Sequence, residues 1–194
     1  MTSTTLAAAL IAGGRSARMG RDKCLLPCGR GFLWEHQIDT LRRLRPDELF
    51  ISCRRDQSYF DDPAAPRITD RWADCGPLAG IASVLQTMRS THLLALGVDL
   101  PRMKPVVLKE LLKAIRPETG AVFRNGEIWE PLAAVYPAGL SAMAEESLAR
   151  GNFSLQHFIR RAVEAGALLP IPLPAPWIGC FENWNHPEEL PRAK

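Results

Sequence analysis

No CxxC pair occurs among the five cysteines, Cys24, Cys28, Cys53, Cys75 and Cys180, and an odd count at irregular spacing does not describe a disulfide framework. Free thiols in a reducing cytosol are the expectation. Cys24 and Cys28 have the spacing of half a zinc site, but no second ligand pair follows nearby. Charge of one sign is also scarce. The net charge is +3, and the basic residues are dispersed apart from an opening loop and the pairs Arg42/Arg43, Arg54/Arg55 and Arg160/Arg161. That argues for anionic small molecules as ligands and against nucleic acid, which calls for a broad basic face. No apolar run approaches the length of a bilayer span, and the N-terminal MTSTTLAAALIAGG lacks the basic region of a signal peptide. No membrane association and a cytoplasmic location are expected. Internal repeats, low-complexity tracts and linkers are missing as well. With 46% hydrophobic and 23% charged residues over 194 positions, the composition suits one globular domain spanning residues 1–194.

What is present centres on Leu10 to Leu26, LIAGGRSARMGRDKCLL. An apolar run, Leu6 to Ile11, reads as a strand buried on both faces and leads straight into a loop with two consecutive glycines. Arg15, Arg18, Arg21 and Lys23 then bring four cations into that loop, a composition suited to a polyphosphate. Downstream, Trp34, Ile38, Leu41 and Leu44 predict an amphipathic helix over Leu33 to Leu44, and Glu48 to Cys53 a second strand. A short strand from Arg67 to Asp70 precedes a helix opened by Pro77. His92 to Val98 is a strongly apolar strand stopping at Asp99, followed by a helix from Val106 to Ile115. Strand, helix, strand in this order implies right-handed crossovers and a parallel sheet. Then the rhythm changes. Ala121 to Arg124 and Pro131 to Tyr136 read as strands joined through Asn125-Gly126, a hairpin signal. Two helices follow, Gly139 to Ala149 and Ser154 to Glu164, with Ser154 as N-cap. Leu168 to Leu173 reads as a proline-interrupted edge strand, and the tail turns from strand to helix at Asn185-His186-Pro187. The expected class is α/β, a mostly parallel sheet with an antiparallel excursion.

In such sheets ligands bind at the carboxyl ends of strands, where the strand order reverses. The glycine loop, Asp70 and Asp99 all fall there. A carboxylate ending a buried strand is a candidate Mg²⁺ ligand, although Asp99-Leu100-Pro101 also suits a turn aspartate. The loop lacks the lysine-serine ending of a Walker P-loop, and GGRSAR does not fit GxGxxG. His36, His92, His157 and His186 share no motif and read as structural or surface residues. Ser16 and Ser154 have no nearby His and Asp to make a nucleophile, so covalent catalysis is not supported.

The run Ile11-Ala12-Gly13-Gly14-Arg15-Ser16-Ala17-Arg18-Met19-Gly20-Arg21-Asp22-Lys23, with Leu25-Leu26-Pro27, resembles the signature of the molybdenum cofactor guanylyltransferases. These belong to the nucleotidyltransferases with a three-layer α/β/α, Rossmann-like (glycosyltransferase-A-like) fold. The resemblance continues through Asp70 with Gly76-Pro77-Leu78-Ala79-Gly80-Ile81, Val98-Asp99-Leu100-Pro101, Pro131 to Tyr136, and Asn183-Trp184-Asn185-His186-Pro187-Glu188-Glu189-Leu190. It implies transfer of GMP from GTP to the terminal phosphate of molybdopterin with loss of pyrophosphate, and Mg²⁺ as cofactor. By the same likeness Ile11, Ala12, Gly13 and Gly14 lie along the nucleotide and Asp70 assists its binding. Arg18 and Lys23 meet the phosphates, Asp99 holds the metal, and Asn183 and Asn185 face the molybdopterin. Transient contacts with molybdenum-insertion proteins or target molybdoenzymes are implied too. The family's asparagine after the second strand has no counterpart in Ser52-Cys53-Arg54-Arg55, Trp129-Glu130 replaces its usual polar pair, and His186 its threonine. Transfer of CMP from CTP to the same pterin, nucleotidyl transfer to a sugar or other phosphate, and non-catalytic carriage of the cofactor are the competing readings. Ala12-Gly13-Gly14, where cytidylyl members carry Ala-Ala-Gly, favours guanine.

Overall fold

A computed structural model of the protein describes residues 4–14 and 22–183. The opening apolar run forms β1, Leu6–Ile11, and its side chains divide between two cores. Ala8 and Leu10 pack on one face of the sheet, Ala7, Ala9 and Ile11 on the other. Both faces being dry is why this strand shows no polar alternation. A small hairpin that the sequence pattern does not announce follows, β2 (Pro27–Cys28) and β3 (Gly31–Phe32). It leads into α1, Leu33–Arg42, where the Glu35 carboxylate accepts a hydrogen bond from the Phe32 amide at 2.7 Å. This helix stops two residues before the expected Leu44. The Leu44 amide donates instead to the Leu41 carbonyl, and Arg45 takes a positive φ of 54° ahead of Pro46.

β4 (Glu48–Cys53) and β5 (Arg67–Thr69) come next, then α2 (Pro77–Thr87), β6 (His92–Gly97) and α3 (Pro105–Ala114). The hairpin strands are β7 (Gly120–Asn125) and β8 (Ile128–Pro137), β8 starting three residues earlier than its apolar pattern suggests. α4, Ser141–Ala149, is preceded by a 3-10 turn over Ala138–Leu140, so the helix begins after Gly139 rather than at it. α5 (Leu155–Glu164) starts at Ser154, whose hydroxyl accepts from the His157 amide. β9 (Leu168–Pro172) and a 3-10 segment, Ala175–Phe181, end the described chain. The expected turn at 185–187 lies outside the described residues.

The sheet order is β5-β4-β1-β6-β8-β7-β9. β8 runs antiparallel to both β6 and β7, while β4–β5, β1–β4, β1–β6 and β7–β9 are parallel pairs. β9 is an edge, and Pro170 and Pro172 remove two of its backbone donors, which blunts it against pairing with another chain. α1 and α3 cover one face of the sheet, and α2, α4 and α5 the other, giving three layers. Two buried polar rings are matched to partners. The Tyr136 hydroxyl donates to the Pro131 carbonyl at 2.6 Å, and both ring nitrogens of the wholly buried His92 meet oxygens, Thr91 Oγ1 on one side and the Arg116 carbonyl on the other. His92 is therefore structural. After β5 the chain crosses from one side of β1 to the other, so the order reverses between β1 and β6. Their carboxyl ends are Ile11 and Gly97, paired to each other.

Candidate functional site

Gly13 leaves the end of β1 where the side chain of Asp70 comes in against it. A Cβ on Gly13 would lie 2.1 Å from Asp70 Oδ2, so only glycine admits the carboxylate there. β5 ends at Thr69, one residue before the expected Asp70, which follows it directly with its amide still bonded to the Cys53 carbonyl while its side chain turns inward. Ser52, buried near the end of β4, donates its hydroxyl to Asp70 Oδ1 at 2.6 Å. Gly80 of α2 makes that arrangement possible, since a Cβ there would lie 2.3 Å from Ser52 Oγ. Burial pushes the Asp70 carboxyl up to about 6, although the Ser52 hydrogen bond and the charge of Arg54 oppose the shift.

On the other side of β1, Asp99 closes the turn after β6. Its carboxylate lies 4.0 Å from the ammonium of Lys23, and the two side chains keep 24% and 16% of their exposure. Burial raises the Asp99 carboxyl and the Lys23 charge lowers it, the net direction being upward. The turn is held from below by Gln37 of α1, whose amide nitrogen donates to the carbonyls of Leu100 at 2.7 Å and Gly97 at 3.2 Å. Lys23 opens a short 3-10 turn, Lys23–Leu25, capped by Asp22, which accepts from the Cys24 amide. The glycine loop thus stands between two carboxylates.

Ile11 and Ala12 lead from β1 into the glycines. Their side chains are buried, the Ala12 amide bonds to the Ser52 carbonyl, and the Ala12 carbonyl accepts from Gln57. Gly13 and Gly14 line a cavity of about 650 Å³ together with Arg54, Asp70, Trp72, Cys75 and Gly76. Lys23 and Asp99 lie outside it, so the sequence-predicted residues fall into two groups on either side of the loop. Asn183 is exposed at the end of the described chain. Arg18 and Asn185 lie outside the described residues. Glu130, at the same end of the sheet on β8, is half-buried, and burial pushes its carboxyl up to about 7.

The described residues contain no group of three or more His, Cys, Asp or Glu placed to hold a metal. All five cysteines are free thiols. Burial drives the Cys24 thiol far above its ordinary value and the Cys53 thiol up to about 11, so neither is a ready ligand or nucleophile. The model of the MobA-like NTP transferase domain matches residues 8–165, which take in the glycine loop, both carboxylates and the hairpin. The chain belongs to the MobA-like NTP transferase domain family. A relative in Opitutus terrae, named "Probable molybdenum cofactor guanylyltransferase", is 33% identical, with 99% of this chain and 96% of that protein covered. One in Pseudomonas putida, named "Molybdenum cofactor guanylyltransferase", is 36% identical over 80% of this chain and 83% of its own. Among solved structures, molybdopterin-guanine dinucleotide biosynthesis protein A of Archaeoglobus fulgidus superposes with a TM-score of 0.73. It is 22% identical and covers 95% of this chain and 94% of its own, a likeness of fold.

In this MobA-like domain, three residues that the motifs left unread hold the site together. Ser52 anchors Asp70, Arg54 grips the glycine loop, and Gln57 ties that loop to Asp22. Arg54 stands in the stretch where the family's asparagine has no counterpart. Their only sequence signal is position, at and just beyond the end of a strand beside β1.

Proposed function

We propose that this MobA-like domain transfers GMP from GTP to the terminal phosphate of molybdopterin, with or without molybdenum bound, and releases pyrophosphate. The observation that carries the reading is the pairing of Lys23 with Asp99 at the switch point, with Gly13 and Asp70 across the loop from them. Nucleotidyl transfer asks for alignment and charge neutralisation more than for covalent chemistry, and this site supplies groups for both. The cavity beside Gly13 takes the nucleoside, with Asp70 as a hydrogen-bond acceptor, and by the family likeness Ile11 and Ala12 lie along the nucleotide. Lys23, joined by Arg18 according to the family likeness, offsets the charge that accumulates on the departing pyrophosphate. By the same family likeness the molybdopterin side is assigned to Asn183 and Asn185. The acceptor is a phosphate monoester, largely ionised near neutral pH, so no protein base is needed to activate it.

Mg²⁺ fits Asp99. The ion is commonly bound through one or two carboxylates plus substrate phosphates, and a half-buried carboxylate 4.0 Å from a lysine ammonium leaves room for such a shared site. When bound, the ion supplies Lewis-acid polarisation of the phosphoryl oxygens. A cytosolic setting, where five thiols stay reduced, completes the reading; among the described residues no helix is long and apolar enough to cross a membrane.

The test is pyrophosphate release from GTP or CTP, with molybdopterin and Mg²⁺ present. Turnover that needs GTP and molybdopterin together is expected. Turnover with CTP alone would move the protein to cytidylyl transfer, and no pyrophosphate with either nucleotide would leave a carrier.

A further inference from the structure

Arg54 has five N–H donors and five acceptors around it. Nη1 donates to the carbonyls of Gly14 at 2.7 Å and Gly13 at 3.3 Å. Nη2 donates to Asp22 Oδ2 at 3.2 Å and Asp56 Oδ2 at 3.3 Å, and Nε to Asp56 Oδ1 at 3.1 Å. The paired bonds to Asp56 fix the guanidinium plane, and the remaining three reach both ends of the segment 14–22. Gln57 reinforces the grip. Its carbonyl oxygen accepts from the Arg54 amide at 2.8 Å, and its amide nitrogen donates to Asp22 Oδ2 at 2.8 Å and to the Ala12 carbonyl at 3.1 Å.

This commitment has two effects on the phosphate-binding groups. Asp22 caps the turn that starts at Lys23, so the position of Asp22 sets where the lysine side chain begins. In a trans peptide the carbonyl and the following amide point in opposite directions. With the Gly13 carbonyl turned onto Arg54, the Gly14 N–H faces away from the guanidinium, as a donor for an anionic oxygen. The guanidinium itself has no donor left over, and two carboxylates flank its charge.

We infer that Arg54 is a positioning residue for the triphosphate: it holds the Gly13-Gly14 backbone and Lys23 in binding geometry and, although it stands in the wall of the cavity, gives none of its own N–H donors to the phosphates. The inference rests on the reading of the site as one for a nucleoside triphosphate. A lysine cannot replace it, because three donors on one nitrogen cannot span five acceptors arranged along a planar fork.

The experiment is a double-mutant cycle on the full chain with Arg54→Ala and Lys23→Ala, reading the dissociation constants of GTP and GMP with Mg²⁺ present. Arg54→Ala is expected to weaken GTP at least about tenfold, to leave GMP within about twofold, and to add less than about threefold once Lys23 is already alanine. Arg54→Lys should recover little. Equal losses for GTP and GMP, multiplicative effects of the two substitutions, or wild-type GTP affinity in Arg54→Ala would each overturn the inference. If Arg54→Ala fails to fold, Asp22→Asn removes one charged anchor while keeping an oxygen for the Cys24 amide. It should then weaken GTP and spare GMP in the same sense, and an unchanged GTP affinity would overturn the inference there too. A wild-type protein that binds CTP and not GTP would overturn the guanine reading alone, since the same cycle run with CTP and CMP still tests Arg54.

Discussion

Asp70 and Asp99 stand at strand ends on opposite sides of β1, and burial raises the carboxyl of each, yet their partners differ in kind. Asp70 is met by a neutral hydroxyl, Ser52, and by the bare backbone of Gly13. Asp99 is met by a cation, Lys23. A carboxylate held by a hydroxyl beside a cavity is suited to recognising neutral donors, such as base or ribose groups. One held beside an ammonium is suited to sharing charge with phosphate and metal. On the function proposed above, recognition and chemistry are separated across a glycine loop that belongs to both.

The sharpest way to break this division is Asp99→Ala. Transfer is expected to fall by at least about a thousandfold in kcat, as loss of a principal electrostatic group does, while thermal melting stays close to wild type. Near-normal turnover would sink the assignment of charge handling to this side. Gly13→Ala acts on the other side. Its Cβ would fall 2.1 Å from Asp70 Oδ2 and force the carboxylate off Ser52, so KM for GTP should rise about tenfold with kcat much less affected. A proportional fall in kcat with unchanged KM would erase the distinction between the two sides.

A smaller effect separates them by pH. Asp70 titrates near 6 in the folded protein against a reference value of 3.8, so its ionised form is lost as pH falls through about 6. KM for GTP should rise over that interval in the wild type more than in Asp70→Asn, and identical profiles would show that Asp70 does not contact the nucleotide. The stability consequence has the opposite sign to that of an ordinary ion-paired carboxylate. Between about pH 4 and 6 the folded state holds the proton more tightly than the unfolded state, so the wild type loses stability as pH rises through that window. Asp70→Asn should therefore be more stable than the wild type at pH 8, by at most about 3 kcal/mol, with the gain vanishing near pH 4. A constant difference across pH would contradict it.

Much of this was legible without coordinates, and the reason is local. β1, β4 and β6 are apolar runs buried on both faces, and α1, α2 and α3 carry their stripes at helical spacing, so short-range pattern reports them within a residue or two. The Asn125-Gly126 turn announced the antiparallel hairpin. The hairpin of β2 and β3 was not visible because two-residue strands have no periodicity to read. Gly13, Asp70 and Asp99 could be marked as candidates because each follows or ends a strand, and Lys23 because it stands in the cation-rich loop of the family signature.

Ser52, Arg54 and Gln57 could not. Their roles are contacts with residues 18 to 45 positions away, created only when β4 is laid beside β1 in parallel register and α2 packs at Gly80. The sequence by itself determined the elements and the residue types at the strand ends, because hydrophobic periodicity and turn chemistry act between near neighbours. Tertiary structure alone decided that the glycine loop would divide Asp70 from Asp99, and that one arginine would hold both ends of it. Those are distances across the sheet, and strand order sets them.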